Sequence, residues 1–243
     1  MKITLLALFT VLSLGSFAQK KNKHWQKVTM LSTVNAGISF QKFDGLNNRI
    51  AAFPQYKQLR DYMGTLTLGS MMVKNNFISG LSLTGGSSFS GDRDKKSSAL
   101  QFIAGQFNIG YDFIPGDKLM LFPLVGVGFE GYQAKFYKDN SGVDFDDVLN
   151  FPGVQNSVRP VKFTNKFATY NLGFGFTVRP DKCKGSIGIQ AAYTGSFKDK
   201  SWKSSDYQEL ANAPVDKLSR FEVSLLFTDM QNNRDKKYKL FIL

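Results

Sequence analysis

In its 243 residues the sequence holds one cysteine, Cys183, and one histidine, His24. A single cysteine excludes a disulfide framework and a multi-cysteine metal cluster. A single histidine removes most Ser-His-Asp, Cys-His and poly-histidine zinc chemistry unless His24 itself is the centre. His24 lies in Gln19-Lys20-Lys21-Asn22-Lys23-His24-Trp25, a basic stretch that reads as a solvated arm rather than a catalytic setting. Long hydrophobic runs are missing too. The richest, Leu119–Phe129, is interrupted by Pro123, Gly126 and Gly128, so no segment of ~20 apolar residues is available for a spanning helix. What the chain has in quantity is glycine (22), phenylalanine (23) and positive charge, formally +12. A mean hydropathy of −0.20 with 21% charged residues fits neither a disordered chain nor a helical membrane bundle.

The first eighteen residues read as an export signal. Met1-Lys2 supplies a positive start, Ile3–Leu12 an apolar core, and Gly15-Ser16-Phe17-Ala18 small residues before a cut ahead of Gln19. No cysteine stands directly after the cut (Cys183 is far downstream), which argues against lipidation; cleavage removes Lys2 and leaves 30 basic against 19 acidic residues, a net +11. The expected organisation is a signal peptide (1–18), a basic arm (19–27), a β domain (28–229) and a tail or extra strand (230–243).

Beyond the arm, hydrophobicity alternates with a period of two, the pattern of strands with one apolar face. Ile103, Gly105, Phe107, Ile109, Tyr111 and Phe113 alternate with Gln106, Asn108, Gly110 and Asp112. Leu172, Phe174, Phe176 and Val178 alternate with Asn171, Gly173, Gly175 and Thr177, and Phe221, Val223, Leu225 and Phe227 with Arg220, Glu222 and Ser224. Strands are expected at 28–40, 63–73, 77–90, 99–113, 119–137, 161–178, 186–197 and 219–229. A soluble sandwich would alternate as well, so periodicity leaves that choice open. The connections decide it. Lys74-Asn75-Asn76, Ile114–Lys118 and Arg179–Gly185 are short, and the links between them are mostly much longer. Tight turns at one end and loops at the other are what a bacterial outer-membrane barrel requires, with the turns in the periplasm. The fold class is therefore all-β, a closed antiparallel transmembrane barrel of eight strands.

The signal ending in Phe17-Ala18-Gln19, the strand with Pro123-x-x-Gly126-x-Gly128-Phe129 and the strand Asn171-Leu172-Gly173-Phe174-Gly175-Phe176 carry a resemblance. The chain resembles small outer-membrane barrels of Gram-negative envelopes, of the kind of the OmpA transmembrane domain and OmpX. The resemblance implies eight strands, a periplasmic N-terminus and insertion by the outer-membrane assembly machinery. Only the 14 residues Met230–Leu243 follow the last strand, so no peptidoglycan-binding domain is expected there.

Four charged residues, Asp112, Glu130, Arg220 and Glu222, fall on inward positions. Inside an eight-stranded barrel, whose lumen side chains just fill, a charge needs a partner, so they are read as an ion-pair plug. The loop Asp139–Asp147 gathers Asp139, Asp144, Asp146 and Asp147 but lacks the spacing and closing glutamate of a calcium loop; it is a weak candidate for a divalent cation and reads as a solvated acidic loop. Leu46, Ile50, Phe53, Leu59 and Tyr62 suggest a rim helix packed over the barrel mouth, or a binding surface. Cys183 falls in a periplasmic turn. No catalytic residue and no cofactor is expected. The positive charge points to lipopolysaccharide and acidic periplasmic partners rather than nucleic acid. The leading expectation is a non-enzymatic barrel with structural or surface-interaction duties; an accessory subunit of an export or assembly complex (PorT-like secretion barrels are of similar size), a narrow solute channel and a lipid hydrolase are the competing readings.

Overall fold

The computed structural model describes residues 28–91, 95–114, 118–180 and 185–230. Eight long strands form one sheet: β1 (Thr29–Gln41), β2 (Tyr62–Lys74), β3 (Phe77–Ser90), β4 (Ser97–Tyr111), β5 (Leu119–Tyr137), β6 (Val161–Val178), β7 (Gly185–Ser196) and β8 (Ser219–Met230). Each is antiparallel to its neighbours in sequence, and β1 pairs with β8 from Leu31↔Met230 to Gln41↔Arg220. The first and last strands thus close the sheet into a barrel, with no long edge left open. In hydrocarbon this closure is obligatory, because an unpaired N–H or C=O there costs several kcal/mol. The strand ends differ from the sequence expectation by at most two residues.

The alternation separates two environments. Outward positions carry Ile38, Leu66, Leu68, Leu81, Leu83, Ile103, Phe107, Val125, Val127, Phe129, Leu172, Phe174, Ile189, Val223 and Leu225, all exposed. They encircle the barrel as an apolar belt, the wall of a membrane-spanning barrel rather than a protein layer. Strands of 12–19 residues, tilted, cross an apolar band of ~25 Å. One end carries the tight turns. Asn75 and Asn76 both have positive φ, 49° and 64°, the conformation of a two-residue type I′ hairpin turn that asparagine tolerates. The other end carries the loops, with helix α1 (Asp44–Ala51) after β1 and helices α2 (Phe145–Asn150) and α3 (Pro152–Val158) between β5 and β6. After β7 the loop doubles back, pairing Lys200–Ser201 with Val215–Asp216 and laying Lys203–Ser204 against Phe163 and Thr164 of β6.

The interior departs from the sequence expectation in one respect. The alternation puts glycine, serine and threonine at inward positions of β3, β5, β6 and β7, which keeps the lumen from overfilling; the structure has three tiers. At the turn end, Leu31, Met71, Ile78, Met120, Phe122, Leu124 and Leu226 form an apolar floor. At the loop end, Phe102, Tyr132, Phe136, Phe167 and Leu100 from the strands meet Phe43, Leu46, Ile50, Leu59, Trp202 and Leu218 from the loops. The polar residues occupy only the middle. The reason is local: β4 and β5 run on past the belt, and there their inward positions face folded loops instead of one another.

Two glycines make room for the aromatic tiers. A Cβ on Gly175 would lie 2.6 Å from Cε2 of Phe122, and one on Gly86 would lie 2.8 Å from Cδ1 of Phe102 and 3.0 Å from Sδ of Met63. Gly86→Val is expected to destabilise the barrel by about 1–3 kcal/mol through overpacking, and Gly175→Val likewise. Unfolding curves in detergent, followed by the heat-dependent shift in electrophoretic mobility, check this. Gly64→Ala, where an added Cβ meets open space, is expected to leave the curve unchanged.

Candidate functional site

The middle tier is built around Arg220, at the loop end of β8, of which only 2% is exposed. Its Nη2 donates to Oε1 of Glu130 and its Nη1 to Oε2 of Glu222, each at 2.6 Å. Tyr132 donates its hydroxyl to Oε2 of Glu130 at 2.8 Å, Gln106 donates to Oε1 of the same carboxylate, and Thr65 donates to Glu222 at 3.2 Å. The guanidinium also lies over the Phe102 ring, 4.6 Å from its centre. Arginine suits this position because its planar fork serves two carboxylates and still stacks on an aromatic face. The network continues through Asn171, which donates to Gln106 and Asn108, and Asn35, which donates to Gln190.

Three of the four inward charges expected from the sequence, Glu130, Arg220 and Glu222, therefore meet in one cluster. Asp112 does not join them. It sits at the opposite end of the barrel, where its carboxylate accepts from the backbone N–H groups of Ile114 and Leu121 at 3.2 and 3.0 Å. It locks the β4–β5 turn. Its inward phase was readable, but its height along the barrel axis was not.

Beneath the cluster lies a small chamber of about 60 Å³, lined by Thr33, Asn35, Thr84, Asn171 and Ser224 among others. It has room for a few waters. Met71, Ile78, Leu124 and Leu226 of the apolar floor line it on one side, and Arg220 and Glu222 of the cluster on the other.

The upper tier is held by a carboxylate that sequence reasoning missed. Helix α1 has no side-chain cap of its own at Phe43. Asp216, brought from the last loop, accepts from the N–H of Gly45 at 2.7 Å, the N–H of Leu46 at 3.0 Å and Nε1 of Trp202 at 2.7 Å. A carboxylate at a helix N-terminus satisfies orphan donors and complements the helix dipole. Burial raises the Asp216 carboxyl above its ordinary range, against the lowering pull of these three donors. The segment read as a rim helix or a binding surface thus buries Leu46 and Ile50 inside the mouth. No local signal joined Asp216 to a helix 170 residues earlier.

The acidic loop is used locally. Asp139 accepts from the N–H and hydroxyl of Ser141, bonds that hold its carboxyl below the usual range. Asp144 caps α2 by accepting from the N–H groups of Asp146 and Asp147. Among the described residues no group of three or more histidine, cysteine, aspartate or glutamate side chains is placed to hold a metal ion. His24, Cys183, the signal and the tail from 231 onward lie outside the described residues.

No protein-family model and no curated protein sequence matches the chain. Among solved structures it is similar to Ail, the attachment invasion locus protein of Yersinia pestis, crystallised with the heparin analogue sucrose octasulfate. The identity is 14% and the TM-score 0.47, over 85% of this chain and 99% of that one. It is also similar to Neisserial surface protein A, at 8% identity and a TM-score of 0.45, over 84% of this chain and 99% of that one. The outer membrane protein OprG from Pseudomonas aeruginosa is comparable, at 10% identity and 0.46, over 85% and 96%. At such identities the likeness concerns the fold.

Arg220→Met strands two carboxylates, one of them fully buried, and is expected to cost about 3–5 kcal/mol. Arg220→Met combined with Glu130→Gln is expected to recover much of that loss in the same unfolding assay. Asp216 yields a pH dependence. Its folded carboxyl is raised, so the folded cap holds a proton more readily than the unfolded chain. The resulting stabilisation is complete below the ordinary aspartate range and is lost as pH rises through the raised value. Hydrogen exchange at the amides of α1, corrected for intrinsic rates, is expected to show greater protection at acid pH than at pH 7. Asp216→Asn is expected to abolish this dependence and to loosen the cap by about 2 kcal/mol.

Proposed function

We propose that the chain is an exported, non-enzymatic integral outer-membrane barrel that conducts no solutes and acts through its external surface. One observation carries this reading: the outside is a continuous apolar belt, while the inside is filled at three successive levels. The belt accounts for insertion, since burying such a surface in lipid is the only way to remove it from water. The filled lumen argues against the channel reading, because Phe122, the Arg220 cluster and the Trp202 tier would all have to move together. In the same reading the signal is cleaved after Ala18, the short turns face the periplasm and the loops face outward. Lipopolysaccharide and acidic periplasmic partners are the counter-charges, and nucleic acid is not a partner.

A second reading, a subunit of a larger export or assembly complex, is favoured by the β5–β6 tip. Phe145, Leu149 and Phe151 are 74%, 67% and 56% exposed there, and α2 and α3 bury none of their residues. Exposed apolar clusters of this kind mark contact surfaces.

In planar bilayers the purified protein is expected to give no conductance steps, and Trp202→Ala is expected to stay silent because the Phe122 floor persists. Reproducible single-channel steps from the wild type would refute the closed-barrel reading. Cell fractionation is expected to leave the protein in the carbonate-resistant outer-membrane fraction; recovery as a monodisperse species without surfactant would refute insertion. Photo-crosslinking from positions 145 and 149 in intact cells separates the two readings: one defined protein adduct favours the complex, and none favours the solitary barrel.

A further inference from the structure

The two loops that cover the barrel mouth are anchored to different strands. After α1 the chain turns at Phe53 and Tyr56 and leaves toward β4, where Ser98 donates to the Gln58 carbonyl at 2.8 Å and Lys96 to the Pro54 carbonyl at 3.2 Å. The last loop is tied to β6 instead, through Lys203–Ser204, and the Trp202 N–H donates to the Pro214 carbonyl at 3.0 Å. Between them lies a cleft of about 270 Å³. Its buried lining includes Leu46, Ile50, Phe136 and Trp202, from α1, β5 and the last loop. Tyr56 and Phe163 flank Phe136, with ring centres 6.2 and 6.0 Å from it. Phe53 and Leu210, 44% and 41% exposed, mark where the cleft meets solvent.

A gap of this size is out of keeping with a folded interior, where voids seldom exceed a water molecule. Water fills it poorly, because a confined water needs two to four polar partners. The lining side chains offer Arg49, Gln55 and the Tyr56 hydroxyl, and the Trp202 N–H is already given to Asp216. An apolar body fits better. At the roughly 25 Å³ per carbon of a benzene in a 150 Å³ cavity, about ten carbons fill the space. Charge decides the other end of the ligand. No aspartate or glutamate lines the cleft. Arg49 does line it, exposed in the last turn of α1, with Nη2 donating to the Asn212 carbonyl at 3.1 Å. Among the described residues it forms no ion pair. A guanidinium with donors to spare favours a carboxylate and repels an ammonium.

We infer that this cleft binds a medium-chain fatty acid, its alkyl chain against Ile50, Phe136 and Trp202 and its carboxylate on Arg49. The site lies wholly in the loop layer, so it depends neither on a closed lumen nor on what the barrel contacts in the membrane.

The test uses the full-length mature protein in phosphatidylcholine nanodiscs, carrying Trp25→Phe so that Trp202 is its one tryptophan. Tryptophan fluorescence is followed as 10-bromodecanoate is titrated in, since bromine quenches an indole that it touches. Trp202 is 1% exposed and belongs to the loop layer, so bromine dissolved in the bilayer does not reach it. Saturable quenching is expected. Arg49→Gln is expected to weaken it about tenfold, the loss of one charge-assisted hydrogen bond. Lys57→Gln, an equal charge loss in the same loop but outside the cleft, is expected to change it by less than about twofold. Decanoate is expected to relieve the quenching by competition, with decanol and decylammonium about tenfold weaker for want of the carboxylate. Hexanoate, four methylenes shorter, is expected to compete about a hundredfold more weakly. Quenching that does not saturate would overturn the site. So would decanol or decylammonium competing as well as decanoate, hexanoate doing the same, or equal effects of Arg49→Gln and Lys57→Gln. Should Arg49→Gln not fold, the comparison of acid, alcohol and ammonium on the parent protein decides.

Discussion

Inside a hydrocarbon layer a backbone amide finds a partner only in its own chain. Everything else in this structure follows from that constraint. It forces β1 onto β8, because a sheet left open between Leu31 and Gln41 would expose a row of unpaired N–H and C=O groups to lipid. Closure then fixes which face of each strand is which. Outward positions must be apolar whatever the function, so they carry little information about it. The lumen and the two rims are where this sequence can differ from any other barrel of the same size.

The lumen shows how such a barrel stays closed. A purely apolar filling of the middle tier would pack, but Arg220 there is set between Glu130 and Glu222, with Tyr132, Gln106 and Thr65 meeting the remaining lone pairs. A buried ion pair contributes little net stability against a hydrophobic filling of equal volume, because desolvation offsets most of the attraction. What it does supply is register. Glu130 and Tyr132 on β5 and Arg220 on β8 come from nearly opposite sides of the sheet order, so a one-residue slip in either strand would leave a charge facing lipid or an unpaired carboxylate in the interior.

How far the sequence reveals this depends on whether the deciding interaction is local. Strand phase is local: the alternation of Phe, Leu and Ile with Gly, Asn and Thr needs no knowledge of neighbours, and it placed all eight strands and the inward set Glu130, Arg220 and Glu222. Height along the barrel is not local. Asp112 has the same inward phase as the cluster, and only the pairing register shows that it closes a turn at the far end. The aromatic tier was hidden for a similar reason. Phe102 and Tyr132 read as ordinary inward residues until the loops are folded over them, and the loops are held by Asp216, whose three donors are Gly45, Leu46 and Trp202. A carboxylate in a polar loop gives no signal of such a role in its flanking residues.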